Sequence, residues 1–116
     1  MIACEYLRKQ GYRILEKNFR CKIGEIDVIA EKDKRLRFVE IKTRSGDVFG
    51  MPEEAVHAAK QKKLIMLAEW YMKEIQKTGT SFSIDVVAID MNSESEKPAV
   101  RLIQDAFGPA DGQWAL

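Results

Sequence analysis

The chain has 116 residues, of which 46% are hydrophobic and 32% are charged. This composition is typical of one globular domain, and it argues against disorder and against a membrane protein, because no uncharged stretch reaches the ~18 residues that a span needs. We expect a soluble cytoplasmic protein with residues 1–107 as a single domain and residues 108–116 as a C-terminal tail.

The charge is unevenly distributed although the formal net charge is only +1. Residues 1–63 hold 15 Lys+Arg against 10 Asp+Glu, whereas residues 64–116 hold 4 against 8. A basic half is compatible with a surface that meets phosphates and equally with an ordinary solvated surface. Two cysteines and one histidine make neither a disulfide scaffold nor a sulfur or imidazole metal site. Any metal would therefore be bound through oxygen.

The apolar periodicity predicts two helices and five strands. In chain order these are a helix over 2–10, strands over 12–20, 25–31 and 36–43, a long helix from Pro52 to about Lys77, and strands over 82–90 and 100–103. The second and third strands are joined by a short charged turn, which predicts an antiparallel hairpin. This order of elements predicts the α/β class, with a central mixed sheet of about five strands flanked by helices.

Alternation and helical spacing predict which residues face the core. In the second strand Ile26, Val28 and Ala30 should share one face, and Glu25, Asp27 and Ile29 the other. The helices each show an apolar stripe, formed by Ile2, Ala3, Tyr6 and Leu7 in the first and by Leu64, Leu67, Ala68, Tyr71 and Ile75 in the second.

Two acidic residues and a lysine form the pattern most informative about chemistry. If the second and third strands pair as a hairpin, Asp27, Glu40 and Lys42 lie on one side of it. Mg²⁺ is commonly bound by one or two carboxylates, waters and a substrate phosphate, and a nearby lysine could orient the attacking water or neutralise developing charge. The competing interpretation is a set of cross-strand ion pairs on a solvated sheet face.

A family resemblance favours the first interpretation. The sequence contains Gly11-Tyr12-Arg13-Ile14-Leu15, Gly24-Glu25-Ile26-Asp27-Val28, Phe38-Val39-Glu40-Ile41-Lys42-Thr43-Arg44 and Glu54-Ala55-Val56. Together these motifs, spread over about residues 2–90, resemble the YraN family of uncharacterised bacterial proteins. That family is similar to the restriction-endonuclease-like PD-(D/E)xK nucleases, and among them to archaeal Holliday-junction resolvases.

The resemblance implies a restriction-endonuclease-like three-layer fold and a metal-dependent endonuclease. The first acid of the nuclease motif falls on Asp27, and the (D/E)xK motif falls on Glu40, Ile41 and Lys42. In the superfamily the two carboxylates and the intervening backbone carbonyl, here that of Ile41, bind Mg²⁺ or Mn²⁺, and the lysine assists the nucleophilic water. DNA, including branched DNA, is the implied substrate, and a homodimer is an open expectation.

Two positions depart from the family pattern. Ile26 stands where the motif's name has Pro, a substitution that the superfamily commonly shows. The family's Gly-Glu pair early in the first helix has no counterpart here, and Glu5 lies too far along the helix to take the role. The alternatives are therefore a nucleic-acid-binding domain with a nuclease-like fold that does not cut, and a protein-interaction domain.

Three further residues are secondary candidates. Glu25 is expected either to support Asp27 from the same face or to be a solvated strand residue. Arg44 and Lys60 are expected either to contact nucleic-acid phosphates or to serve only solubility.

Overall fold

A computed structural model of the chain describes residues 2–44, 58–91 and 97–106. Its elements are α1 (Ile2–Lys9), β1 (Arg13–Arg20), β2 (Glu25–Lys32), β3 (Arg35–Arg44), α2 (Ala58–Glu74), β4 (Phe82–Asp90) and β5 (Ala99–Ile103). Each strand matches its predicted bounds to within one residue. The predicted helix start at Pro52 and the predicted tail lie outside the described residues.

The five strands form one mixed sheet in the order β1-β2-β3-β4-β5. Neighbouring strands are antiparallel except β3 and β4, which run parallel. A parallel pair needs a crossover connection, and α2 lies between these two strands in the sequence. The predicted mixed sheet and the predicted antiparallel hairpin of β2 and β3 are therefore confirmed.

Each face of the sheet is covered by one helix, which gives three layers. The α2 face is built from Ile26, Ile29, Leu36, Phe38, Leu64, Leu67, Ala68, Tyr71, Met72, Phe82 and Ile84. The α1 face is built from Ala3, Cys4, Leu7, Tyr12, Val28, Ala30, Val39, Val87 and Ile89. Because both faces are buried, the central strands are almost continuously apolar, as in β4.

The buried residues of the two helices differ from the predicted apolar stripes at the helix ends. Ile75 is exposed because α2 ends at Glu74 and Gln76 takes a positive φ of 59°, which turns the chain away from the core. Ile2 is also exposed, at the first residue of α1, and Cys4 takes its place among the buried residues. The middle of the predicted α2 stripe is buried.

The predicted alternation in β2 is wrong at Ile26. Ile26 packs with Ile29 on the α2 face, although residues three apart in a regular strand point to opposite faces. In the neighbouring strand, Asn18 of β1 has a φ of 53° and lies between the pairs Lys17↔Val28 and Phe19↔Ile26. The register of the β1–β2 ladder shifts between Ile14 and Glu16, and among the described pairs Asp27 has no partner in β1 or β3.

A buried polar network lies on the α1 face. Asp85 is fully buried, and its carboxylate accepts hydrogen bonds from the Tyr12 hydroxyl (2.6 Å) and the Asp105 backbone N–H (2.9 Å). The Arg37 guanidinium lies 3.8 Å from the same carboxylate, and Gln104 donates to the Tyr12 hydroxyl. Burial, followed by the hydrogen bond to Asp85, raises the pKa of Tyr12. We call these five residues the Asp85 network.

Two features of the described residues concern the class of protein. Within 2–44, 58–91 and 97–106, no helix has the length and apolar character needed to cross a membrane. Cys4 and Cys21 are both free thiols.

Candidate functional site

The candidate site begins where the ladder between β2 and β3 ends. Val28↔Val39 is the last described pair of this ladder, and the next residues along the two strands are Asp27 and Glu40. The Asp27 carboxylate oxygen Oδ2 accepts a hydrogen bond of 2.7 Å from the backbone N–H of Ile41. A side-chain oxygen thus takes the place of a backbone acceptor and fixes the orientation of Asp27.

Glu40 is the second acid of the site and is buried, with only 5% of its surface exposed. Burial, the hydrogen bond to Asp27 and the negative charge of Asp27 together raise the pKa of Glu40 to about 7. The positive charges of Lys60 and Lys42 oppose these effects. Two carboxylates at hydrogen-bond distance repel each other when both are ionised, so the pair shares a proton unless a cation compensates the charge.

Two lysines approach this acid pair from different elements. Lys42 follows Glu40 by two residues in β3, so alternation places it on the same face of the sheet. Lys60 lies near the described start of α2, and its Nζ is 3.6 Å from Oε2 of Glu40. The structure therefore brings Asp27, Glu40 and Lys42 together as the sequence predicts, and adds Lys60.

The donor atoms of the site suit a small hard cation. Among the described residues, no three or more His, Cys, Asp or Glu side chains are grouped so that they could hold a metal ion, so the side chains of this site would supply two carboxylates. Mg²⁺ is commonly bound by one or two carboxylates, with waters and a substrate phosphate completing the octahedron. The backbone carbonyl of Ile41 belongs to the residue between Glu40 and Lys42 and is a further oxygen at this position. A divalent cation would also relieve the repulsion between the two acids.

A cleft of about 350 Å³ adjoins the acid pair. One wall is the start of β2, and the other is the first half of α2; the lining residues are Gly24, Glu25, Ala59, Lys60, Lys63, Leu64 and Leu67. Lys60 belongs both to this lining and to the ion pair with Glu40. The cleft thus shares Lys60 with the candidate site, and we call it the α2 cleft.

The secondary candidates lie in different surroundings. Glu25 is exposed at the rim of the α2 cleft, and its carboxylate pairs with the guanidinium of Arg20 at 3.0 Å. Arg44 is the last residue of β3, and its side chain lies outside the described residues. Lys60, predicted to contact phosphates, is half-exposed beside Glu40.

Two contacts of the site could not be read from residue spacing. The ion pair between Lys60 and Glu40 joins α2 to β3, and the approach of Lys63 to Gly24 joins α2 to β2. The only sequence signal for either was the repetition of lysines at positions 60, 62 and 63, which does not distinguish a site from a solvated face.

Comparisons with known proteins concern the whole domain. The model of the uncharacterised protein family UPF0102 matches residues 1–89. A UPF0102 protein of Caldicellulosiruptor saccharolyticus is 42% identical over 105 residues, which cover 90% of this chain and 89% of that relative. UPF0102 proteins of Clostridium botulinum (strain Loch Maree) and Clostridium kluyveri are 42% and 41% identical, each over 91% of this chain and 87% of their own. The resemblance to YraN proteins is confirmed, because YraN and UPF0102 denote the same family.

Proposed function

The chain belongs to the uncharacterised protein family UPF0102, and from this premise we propose that it is a Mg²⁺-dependent endonuclease that hydrolyses DNA phosphodiester bonds. The observation that carries the proposal is the acid pair. Asp27 is held by the backbone of β3, and Glu40 is buried against it with a pKa raised to about 7. Strongly perturbed acids beside a cleft are candidates for a functional site.

The two carboxylates would bind the metal together with the carbonyl of Ile41. A bound Mg²⁺ supplies charge neutralisation at the phosphate and lowers the pKa of a water in its coordination sphere. The hydrogen bond from the Ile41 N–H contributes by keeping Asp27 in one orientation before the metal arrives. Such preorganisation reduces the rearrangement that binding would otherwise require.

Lys42 would act on the reacting groups themselves. Its ammonium group would orient the attacking water, assist its deprotonation, or neutralise charge on the phosphate as it develops. Its place beside the buried Glu40 supports this role, since a partly desolvated lysine has stronger electrostatic effects than a solvated one. Mn²⁺, which also accepts oxygen ligands, is an alternative metal.

The proposed substrate is DNA, with Arg44 and Lys60 at its backbone phosphates. Lys60 is half-exposed and lies between the acid pair and the α2 cleft, a position that suits a phosphate close to the scissile bond. Branched DNA is the finer form of the proposal and derives from the resolvase likeness. A homodimer would present two such sites to a symmetric junction.

The decisive experiment compares cleavage of plain and four-way-junction DNA by the wild type and by Asp27→Ala and Lys42→Ala. Both variants should lose cleavage in Mg²⁺. The matched controls, Glu74→Ala and Lys62→Ala, change exposed residues on α2 and should cleave normally. Titration with Mg²⁺ in a calorimeter should show binding that Asp27→Ala abolishes. Cleavage at the wild-type rate by both site variants would reject the proposal.

A second candidate function is nucleic-acid binding without cleavage. The ion pair between Lys60 and Glu40 favours it, because an ammonium group 3.6 Å from Glu40 partly supplies the positive charge that a metal would bring. This alternative predicts salt-sensitive DNA binding that neither Mg²⁺ nor EDTA alters, with no heat of metal binding. Metal binding that depends on Asp27 would argue against it.

A further inference from the structure

The α2 cleft carries a second ammonium group to which the proposed hydrolysis assigns no role. Lys63 lies one helical turn after Lys60 in α2, and residues three apart on a helix are neighbours on its surface. Both lysines line the cleft. The α2 wall of the cleft therefore carries two positive charges, one of which, Lys60, also pairs with Glu40.

Gly24 provides the space that Lys63 occupies. A Cβ atom at this position would lie 3.1 Å from Cε of Lys63 and 3.8 Å from its Nζ. The first distance is closer than carbon atoms normally approach, so any side chain at residue 24 would displace the end of Lys63. The absence of a side chain at Gly24 thus leaves room for the end of Lys63 at the start of β2.

The charges around the cleft leave Lys63 available for an anion. Glu25 is the acid in the lining, but its carboxylate already pairs with Arg20 at 3.0 Å. Leu64 and Leu67 form an apolar floor, since both are almost fully buried. A ligand that suits this cleft would have an anionic group beside an apolar group and would belong to a chain that also reaches the acid pair. A nucleotide of a DNA strand has these features.

We propose that Lys63 and Gly24 form a subsite for the backbone phosphate of a nucleotide neighbouring the bond that is cut, with its sugar against the apolar floor. The subsite deepens the proposed nuclease function and rests on it for the location of the cut. Lys63 is a binding residue, and hydrolysis requires no chemistry from it. The neighbouring Lys62 is exposed and is not among the residues that line the described cleft.

Fluorescence anisotropy with a short labelled DNA duplex tests the subsite through the matched variants Lys63→Gln and Lys62→Gln. Each phosphate contact contributes about one to the slope of the logarithm of affinity against the logarithm of salt concentration. Lys63→Gln should reduce the magnitude of this slope by about one, and Lys62→Gln should leave it unchanged. Equal effects of the two variants, or no effect of either, would overturn the proposal.

A second measurement identifies the phosphate. Duplexes in which single phosphates are replaced by uncharged methylphosphonates should weaken wild-type binding at several positions. At one of these positions Lys63→Gln should show no further loss, because its contact is already missing. If Lys63→Gln is weakened as much as the wild type at every position, the assignment to a backbone phosphate is wrong.

The test separates this subsite from the nuclease proposal. The difference between Lys63→Gln and Lys62→Gln should persist in an Asp27→Ala background, where metal binding is expected to be lost. If this difference is found but the wild-type protein itself never cleaves DNA in Mg²⁺ or Mn²⁺, the nuclease proposal is rejected and the subsite is kept. Gly24→Ala, in a protein whose circular dichroism is unchanged, should reduce the salt slope by less than Lys63→Gln does, because the end of Lys63 need move by only a few tenths of an ångström; a wild-type slope would overturn the role of Gly24.

Discussion

The two faces of the sheet each bury an acid and compensate it differently. On the α1 face, Asp85 receives two hydrogen bonds and lies near the guanidinium of Arg37. On the α2 face, Glu40 has another carboxylate, Asp27, as its close neighbour and a lysine ammonium at 3.6 Å. The first acid is surrounded by donors, whereas the second is paired with a group that it repels when both are ionised.

This difference separates a structural use of buried charge from a functional one. Burying a carboxylate costs free energy that hydrogen bonds and an opposite charge offset, and the Asp85 network provides both. The acid pair lacks sufficient positive charge among the described contacts and opens on a cleft, so a cation and an anionic substrate would complete it. We therefore expect changes on the α1 face to affect stability and changes on the α2 face to affect binding and catalysis.

The largest expected effect on stability is that of Asp85→Ala. Removing this acid leaves Tyr12 without its acceptor and the buried Arg37 with only the exposed Asp33, at 3.9 Å, as a carboxylate partner, which should cost roughly 3–5 kcal/mol of unfolding free energy. The matched change on the other face, Asp27→Ala, should cost less than about 1 kcal/mol, because the lost hydrogen bond is offset by relief of repulsion with Glu40. Urea denaturation measures both. Similar losses in the two variants would remove the distinction between the faces.

The pH dependence of stability should reveal Glu40. Its pKa in the folded protein is raised to about 7 from an ordinary value of 4.5. Between these values the folded state holds a proton that the unfolded state has released, so the contribution of Glu40 is full below pH 4.5 and is lost as the pH rises through 7. The unfolding free energy of wild type relative to Glu40→Gln should fall by roughly 1–3 kcal/mol over this window in EDTA.

Two details sharpen the experiment on Glu40. Subtracting the Glu40→Gln curve removes the contributions of the carboxylates that do not contact Glu40, so the remaining difference reports the acid pair of Glu40 and Asp27. Repeating the titration in saturating Mg²⁺ should weaken the fall, since a bound cation favours the ionised pair. A difference between the two proteins that stays constant from pH 4.5 to 7 in EDTA would contradict the raised pKa.

A pair of tyrosines offers the same chemical change on the two faces. The Tyr12 hydroxyl donates to the buried Asp85, whereas the Tyr71 hydroxyl donates to the exposed Glu16 at 2.7 Å. Tyr12→Phe should cost roughly 1–3 kcal/mol because a buried acceptor loses its partner, and Tyr71→Phe only about 0.5–1 kcal/mol because Glu16 regains water. Thermal unfolding of the two variants measures both losses of stability. The difference between the two faces predicts the larger loss for Tyr12→Phe.

The smallest effect is expected at the rim of the cleft. Glu25 and Arg20 form an exposed ion pair, and such pairs contribute about 0–1 kcal/mol. Glu25→Gln should therefore change stability by less than about 0.5 kcal/mol. Its effect on Mg²⁺ affinity distinguishes the two expectations for this residue: a loss of about tenfold or more would assign Glu25 a supporting role at the metal, and a smaller change would leave it a solvated rim residue.

The strands and the acid pair could be predicted because their determinants are local. β4 is a run of apolar, mostly β-branched residues between Ser81 and Met91, and its predicted bounds match the structure. Asp27 and Glu40 lie on two strands joined by a two-residue turn at Asp33 and Lys34, so pairing of the hairpin brings them together. The period of two in a strand then gives the position of Lys42.

The remaining features depend on contacts between residues distant in the sequence. The Asp85 network joins residues 73 and 92 positions apart, and no spacing rule connects Tyr12 to Gln104. Asp85 itself interrupts an apolar strand, which is a signal that could have identified a buried acid but not its partners. Ile26 departs from strand alternation opposite a stretch of β1 in which Asn18 is left-handed, a conformation that the residue type permits but does not require.

The separation of these contacts along the chain has a consequence for the order of folding. The hydrogen bond between Asp27 and Ile41 closes a segment of only 14 residues, whereas the Asp85 network requires β1, β4 and the segment around Asp105 to meet. Short loops lose less chain entropy on closure, so the β2–β3 hairpin should form in the transition state and the network after it. Stopped-flow kinetics should then show that substitutions in the hairpin slow refolding, while substitutions at Asp85 mainly accelerate unfolding.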